Sequence, residues 1–592
     1  MVAIDTTRSA EVNRKASLAR WLKRTQEVLA FRSKSGGSFH RLFNLLRTKR
    51  LVELALDHVL SNAGARTAGV DGVTKQDLRE VQARQKLMDE IHRELCTKTY
   101  RPQPVRRVYI PKPNGERRPL GVPTIKDRVV QEMLRLILEP IYEVKFYPHS
   151  YGFRPFRSTH HAALRVKDLA SRRGYRYAVE GDIRKCFDRV QHAKLLAVLR
   201  RTIQDERVIK MVGHMLKAGV MEDGAWHVTD EGTPQGGILS PLLANIYLNE
   251  LDWFIVGKWE ALPNKQQQRL RYHGQDHRCF IVRYADDFVV MTRTEADALT
   301  LKREIAEFLR QELGLELSEE KTLVTPIERG IDFLGFHIRK YPRATLITPA
   351  GKSMARFKVK VAEQVRRDFE QDDVAGIVNL NRLLIGWGMY YRRVSSARAF
   401  RALDSYVWHR VWKTTLSLRR GRDRTQRRQH YRRHYIPYRF DINAKNRWRR
   451  GRNYGAWADA AHKTAYIVVR LAFLPIRYVD FHPQLNPFDP IERAKLEQNR
   501  RLNELFGELE RNGNIGNPAY GAEWEITRRE ILQRAGYRCQ QCHRSLRGRQ
   551  AHVHHRLKLK QAPSRRQANL LENLMALCPR CHKREDATAV GN

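Results

Sequence analysis

The chain has no uninterrupted apolar run long enough to span a bilayer, and its N-terminus mixes charges throughout, unlike a signal peptide. A secreted or membrane-spanning protein is therefore not expected; a cytoplasmic, nucleoid-associated one is. Negative charge is also scarce: 64 Asp and Glu stand against 110 Lys and Arg, a formal net charge of +46 over 592 residues. Self-repulsion on that scale disfavours a compact chain without a counter-charge, so the expected partner is a polyanion, nucleic acid before any membrane surface. Only seven cysteines are present. Cys96, Cys186 and Cys279 are isolated and read as ordinary buried thiols, whereas Cys539-x-x-Cys542 and Cys578-x-x-Cys581 form two pairs. In a chain without a secretory signal, that spacing points to structural zinc rather than disulfides. Hydrophobic residues, at 42%, suffice for folded domains. The length calls for roughly three to five of them.

What the chain does have is an aspartate doublet in Arg283-Tyr284-Ala285-Asp286-Asp287-Phe288, flanked by the apolar runs Phe280-Ile281-Val282 and Phe288-Val289-Val290-Met291. Two buried strands meeting at a sharp reversal would raise both acids at a hairpin tip. Neighbouring carboxylates repel each other and resist desolvation, and a divalent cation with oxygen ligands relieves both. A third acid is available where Tyr175 to Asp182 reads as a strand ending in Asp182. Three such carboxylates suit two Mg²⁺ ions about 3.5–4 Å apart, the chemistry of nucleotide polymerisation. Taken alone, the doublet is equally readable as a pair of turn formers.

Other stretches carry weaker signals. Residues 1–64 alternate basic and apolar positions, as in Phe39 to Leu46, and read as helical with a cationic face; after the glycine-rich turn Ala68 to Val73 a helix is expected to end near Leu95. Residues 109–121 read as a hairpin around Pro113-Asn114-Gly115, with Lys112 and Arg118 on its arms; such cations can grip a triphosphate or merely decorate a surface. A helix is expected over 126–146, then the aromatic-basic loop Ser150 to Pro155. Gly232-Thr233-Pro234-Gln235-Gly236-Gly237 is a turn permitting close backbone approach, with Gln235 as its polar contact, and it feeds a helix through Leu248.

These pieces, with Leu313 to Thr322 and Phe333-Leu334-Gly335-Phe336, occur together and in order. From about Val70 to Ile338 the chain resembles the reverse transcriptases encoded within group II introns. The resemblance implies that Asp182, Asp286 and Asp287 bind the two Mg²⁺ ions. It matches Phe187 to the aromatic beneath the incoming sugar, where a bulky ring rejects a 2′-hydroxyl by steric clash; without the family, plain core packing is the better reading. Lys112 and Arg118 match the triphosphate grip, and Gln235 the residue near the nucleotide and primer end.

Residues 355–480 turn aromatic and basic, as in Leu380 to Arg392 and the Arg-rich run from Arg419 to Arg452. Basic residues neutralise phosphates while aromatics stack on unpaired bases, so RNA binding is preferred here to a solvated cationic bundle. The segment resembles the family's thumb and maturase region. Residues 481–523 read as a linker around a charged helix, Ile491 to Arg511, in the position where the family often has a small DNA-binding element.

The C-terminal pairs of cysteines bracket Ala551-His552-Val553-His554-His555 and Asn569 to Leu574, and close on His582, resembling an HNH nuclease module. By position His555 matches the general base, His554 and His582 ligands of a catalytic divalent ion, and Asn573 the orienting asparagine, with Asn569 competing for that role. Four thiolates already fill zinc's tetrahedral shell, which leaves the histidines free; the alternative makes His552, His554 or His582 an extra zinc ligand.

The expected molecule is thus a multidomain α+β protein. It has a basic helical extension (1–64), right-hand polymerase fingers and palm with an antiparallel sheet (65–345), an α-helical thumb and maturase domain (346–480), a linker (481–523), and a small ββα HNH module with a four-cysteine zinc site (524–592). Its expected substrates and partners are dNTPs, group II intron RNA and target DNA, with splicing, strand cleavage and reverse transcription on one ribonucleoprotein. Rival readings are a non-catalytic RNA-binding splicing factor and a non-intron, retron-type reverse transcriptase.

Overall fold

The computed structural model describes residues 3–111, 115–222, 225–227, 231–232, 236–370, 372–418, 423–441, 448–457, 465–474, 476, 484–498, 524–546, 552–555 and 574–588. The chain divides into two compact units, Met1–Ile347 with Phe481–Leu496 and Thr348–Asp480 with Glu497–Asn592. Among the described residues no helix is long and apolar enough to cross a membrane.

The first unit is organised around the helix Ile125–Glu143, whose residues are buried on nearly every side. It begins where Thr124 Oγ1 accepts the Asp127 amide at 3.0 Å and donates to Asp127 Oδ2 at 2.7 Å, a reciprocal cap that fixes the first turn. The long helix Ala3–Lys34 packs against it, with Gln26 donating to the Leu136 carbonyl and Ser33 to that of Ile141. The basic N-terminal segment is therefore part of this packed body.

Two sheets matter for the site. β1 (Val105–Pro111) and β2 (Arg117–Val122) form the expected antiparallel hairpin, extended through β4 (Val220–Glu222) to β5 (Ala225–His227). The second sheet joins β3 (Tyr177–Asp182), β6 (Cys279–Tyr284), β7 (Asp287–Thr292) and β8 (Leu323–Pro326) in the order β6-β7-β3-β8, every neighbouring pair antiparallel. β6 and β7 are buried along almost their whole length because the helices Thr159–Arg172 and Ser240–Lys258 pack on β6 and Glu295–Phe308 on β7. That two-sided burial is why both strands read as continuous apolar runs. Gly181 has a specific reason in β3: a Cβ there would meet the Phe288 ring at 2.1 Å, so only glycine lets that ring lie across the strand. A three-stranded sheet of β9 (Ile331–Phe333), β10 (Phe336–Lys340) and β11 (Thr345–Pro349) follows.

In the second unit the helices Gly351–Asp368, Asp373–Tyr391 and Ala397–Leu418 pack through Phe357, Trp387 and Phe400, with Trp387 stacked on Phe357 at 4.8 Å. The expected all-helical character stops there. After the helix Arg424–His434 come β12 (Tyr435–Asp441), β13 (Trp448–Trp457) and β14 (Ala465–Ile467), an antiparallel sheet paired Tyr435 to Tyr454 and Gly455 to Ile467. Tyr435 and Tyr454 are fully buried and meet edge to face at 5.7 Å, so aromatic packing across strands overrides the helical reading of an Arg-rich run. In the C-terminal module, β15 (His552–His555) pairs with β16 (Leu574–Leu577) and the helix Pro579–Thr588 packs on both, the expected ββα arrangement.

Candidate active site

The β6–β7 hairpin closes on the pair Tyr284 and Asp287, leaving Ala285 and Asp286 as its two-residue loop. Ala285 sits at φ +57°, a conformation that such tight hairpin turns demand and that normally selects glycine. What holds it there is packing from behind. Gly152 lies so close that a Cβ on it would come within 2.3 Å of the Ala285 nitrogen, and the Asn245 side chain donates to the Gly152 carbonyl at 2.7 Å.

The anchor of this tip is Arg283, whose guanidinium is wholly buried. Its Nε donates to Asp252 Oδ1 at 2.7 Å and its Nη2 to Asp252 Oδ2 at 2.6 Å, a bidentate pair without solvent exposure on either side chain. Nη1 donates to Asn245 Oδ1 at 3.0 Å and to the Ala285 carbonyl at 2.9 Å. Asn245 and Asp252 are seven residues apart on Ser240–Lys258, two helical turns and therefore one face. Backbone bonds from Arg283 N to the His149 carbonyl and from Tyr151 N to the Arg283 carbonyl fasten the aromatic-basic loop alongside.

With the tip fixed, the cross-strand register places Asp182 directly opposite Asp287. Asp286 joins them from the loop. Crowding by surrounding protein, then repulsion from Asp286 and Asp182, pushes the Asp287 carboxyl up to about 6, against the pull of Lys321. Asp286 is raised as well, by burial first and then Asp182, with Arg118 and Arg283 opposing. The sign follows: the ionised doublet is disfavoured in the folded protein, fully so above about pH 6 for Asp287, and either protonation below it or an added cation relieves the strain. Oxygen donors of one sign with unmet demand for positive charge fit a hard divalent ion. The aspartates are not gathered as tightly as the four cysteines, the group among the described residues whose ligand atoms all lie within 4.8 Å of one another.

Lys321, unnoticed in the sequence as a site residue, pairs with Asp182 Oδ2 at 3.0 Å. The Leu313 to Thr322 block brings it there: Arg184 N donates to the Glu316 carbonyl and Ser318 N to that of Asp182. Arg118 lies on exposed β2, near enough to draw the Asp286 pKa down. Phe187 is only half-buried and meets the exposed Phe153 edge-on at 6.4 Å, which does not fit plain core packing. Lys112 and Gln235 lie outside the described residues.

In the C-terminal module Cys539, Cys542, Cys578 and Cys581 converge, and among the described residues no histidine joins their cluster; the Cys542 and Cys578 sulfurs are 3.7 Å apart. Burial opposes ionisation of Cys539, yet amides of Cys542, Cys578 and Gln541 bring its pKa below the usual thiol range, as a zinc thiolate requires. The small core of Ile531, Leu532, Leu546, Val553 and Leu577 packs around the knuckle. Alternation along β15 puts His552 and His554 on one face, their rings 5.2 and 5.1 Å from that of His582. His555 follows, paired with Leu574, and its imidazole is outside the described side chains. Asn569 and Asn573 lie outside the described residues too.

Three family descriptions match the chain in order: reverse transcriptase (RNA-dependent DNA polymerase) over residues 110–338, the group II intron maturase-specific domain over 354–435, and HNH endonuclease over 539–588. The protein YkfC of Escherichia coli K12 is 40% identical over 324 residues, covering 51% of this chain and 84% of its own. The chain belongs to the group II intron-encoded reverse transcriptases. The group II intron-encoded protein LtrA of Lactococcus lactis subsp. cremoris is 35% identical over 369 residues, 54% of this chain. The match spans 59% of LtrA's length. Nuclear intron maturase 2 of Arabidopsis thaliana is 29% identical over 314 residues, 42% of each chain.

Two outcomes are expected from these geometries. Asp252→Ala leaves the Arg283 charge buried without its partner and should lower stability by about 3–5 kcal/mol in denaturant melts; an unchanged midpoint would mean that the pair does not hold the hairpin. Cys539→Ser combined with Cys581→Ser should remove zinc from the purified protein by elemental analysis, and full zinc retention would exclude the four-thiolate site.

Proposed function

We propose that this protein extends a DNA primer on an RNA template, with Asp182, Asp286 and Asp287 as the carboxylates that hold two Mg²⁺ ions. The observation carrying this reading is the β3–β7 register, which sets Asp182 opposite Asp287 beside a doublet whose pKa values are raised. Bound there, such ions lower the pKa of an attacking hydroxyl and stabilise the leaving oxygen. The chain's own contribution is placement. Arg118, with Lys112, grips the triphosphate; Gln235 sits near the nucleotide and primer end; the Phe187 ring under the sugar excludes a 2′-hydroxyl by volume. Lys321 balances Asp182 and orients its carboxylate.

Around that centre, residues 346–480 serve as the thumb and maturase surface that holds intron RNA and assists splicing, residues 1–64 as a basic helical extension, and 481–523 as a linker or DNA-binding element. The HNH module (524–592) cleaves one strand of target DNA and so supplies the 3′-hydroxyl for priming. There His555 is the general base, Asn573 or Asn569 orients it, and His554 and His582 hold the nuclease's divalent ion, apart from the zinc of the four cysteines. A cytoplasmic, nucleoid-associated setting suits these substrates.

Asp286→Ala with Asp287→Ala tests the reading. Primer extension on an RNA template should fall to background while binding of group II intron RNA stays within about twofold, since the doublet contacts metal rather than the RNA held by the thumb. Extension surviving the double substitution would overturn it.

A further inference from the structure

At the opposite end of the β3–β6–β7 sheet from the aspartates, the strands open onto a second charged site. Arg172, Arg173, Arg271, Arg278 and Arg293 line a cavity of about 520 Å³ together with Tyr175, Trp259 and Phe280. Its position follows from the strands: Tyr175 precedes β3, Arg278 precedes β6 and Arg293 follows β7, whereas the aspartates lie at the other strand ends. Five residue steps from Tyr177 to Asp182, at about 3.4 Å each, put roughly 17 Å between the two sites.

The cavity is built in layers. Its floor is aromatic and closed: Tyr175, Trp259 and Phe280 are 3%, 3% and 8% exposed, and Tyr175 meets Phe280 edge-on at 5.2 Å. Guanidiniums lie on that floor. Arg271 and Arg278 cover Trp259 at 5.5 and 5.2 Å, Arg173 covers Phe280 at 5.8 Å, and Arg293 covers Tyr175 at 5.9 Å. A fifth stacked cation, the buried Arg165, shares the Phe280 ring at 5.6 Å and pairs through Nη1 with Asp168 at 3.3 Å, while its Nε has no hydrogen-bond partner among the described residues. Such stacking fixes side chains that would otherwise lose much rotamer freedom on binding, so the forks are pre-organised.

Charge is left over in this layer. Arg172 and Arg173 share Asp168 at 3.7 and 3.6 Å, and Arg278 pairs with Asp276. Among the described residues neither Arg271 nor Arg293 has a carboxylate within ion-pair distance; Arg271 Nη2 donates instead to Gln267 Oε1 at 3.2 Å. Glu260, the acid in the lining, already accepts the Tyr147 hydroxyl at 2.6 Å. Burial first, and then Arg165, Arg157, Arg173 and Arg154, hold the nearby His149 imidazole down at about 2; of these arginines Arg173 belongs to the cavity lining.

We propose that this cavity binds backbone phosphates of a nucleic acid strand, as an anchoring site separate from the template and primer cleft. Planar forks match phosphate oxygens two at a time. The aromatic faces are already capped by guanidiniums and closed to solvent, so no ring remains for base stacking and the site reads backbone rather than sequence. The inference rests on the reading of this chain as a nucleic-acid enzyme, but not on which RNA it carries.

The test compares the full-length protein with Arg271→Gln/Arg293→Gln, which removes two exposed charges from a total of +46 and breaks no ion pair. The probes are a labelled oligouridylate and an oligodeoxythymidylate of equal length, bound over a range of salt. Affinity should drop about tenfold or more, and the slope of log K against log salt should become shallower by about 1.4 for two lost single-strand phosphate contacts. Equal losses on both probes identify the shared phosphodiester as the ligand, and loss on RNA alone places the ribose hydroxyl in the site as well. Arg271→Lys/Arg293→Lys should recover part of the affinity. Oligo(dT)-primed extension on poly(rA) at saturating template should keep the wild-type rate. Superimposable binding curves and slopes for variant and wild type would overturn the proposal, and so would an extension rate lost in step with binding, which would place these arginines in the catalytic cleft. Failure of the wild-type protein to prefer intron RNA over oligouridylate would remove the intron reading and leave this site standing.

Discussion

The proposed polymerase site depends on one buried ion pair. Arg283 and Asp252 have no solvent exposure, and their two parallel hydrogen bonds of 2.7 and 2.6 Å tie the strand before the aspartate doublet to a helix on the sheet's face. Taking both charges from water is expensive, and the cost is tolerable only because Asn245 and the Ala285 carbonyl satisfy a third guanidinium nitrogen. Removing either partner would strand a charge. The pair therefore does more for position than for net stability: it sets a left-handed residue at a hairpin tip and so aims two mutually repelling carboxylates at a third.

That arrangement accounts for the doublet's electrostatics. Asp286 and Asp287 are both raised, first because the fold buries them and then because it sets them beside Asp182 and, for Asp287, beside Asp286; Lys321 offsets only part of the repulsion on Asp287. Strain of this kind at a functional site is sustained by the surrounding structure. Glycines at 152 and 181 belong to the same device, one admitting the tip against its supporting loop and the other admitting the Phe288 ring across β3.

Much of this was readable beforehand, for a local reason. Strand-length apolar runs on both sides of the doublet announce a hairpin, Asp182 ends an apolar-alternating strand, and paired Cys-x-x-Cys spacing announces a knuckle; each signal lies within a few residues. The supporting partners are non-local. Asp252 is 31 residues from Arg283, and Lys321 is 139 from Asp182, so neither carries a mark of its role in its own neighbourhood. Asn245 and Asp252 left one faint trace, two polar residues at a helical repeat, in a helix that also carries Asn249 and Glu250 between them. The sheet after His434 was hidden by composition: the Arg-rich run from Arg419 to Arg452 reads as a cationic helix until Tyr435 and Tyr454 are seen packed across strands. The arginine cavity had no signature at all, because its residues come from four separate segments.

The proposed cation-binding centre, shared by β3 and the β6–β7 hairpin, is most directly examined by anomalous diffraction from crystals grown with Mn²⁺, a primer and template, and an unreactive nucleotide. Two manganese peaks about 3.5–4 Å apart, in contact with Asp182 and with Asp286 or Asp287, are the expected result. Manganese bound by the doublet alone, with Asp182 uninvolved, would contradict it.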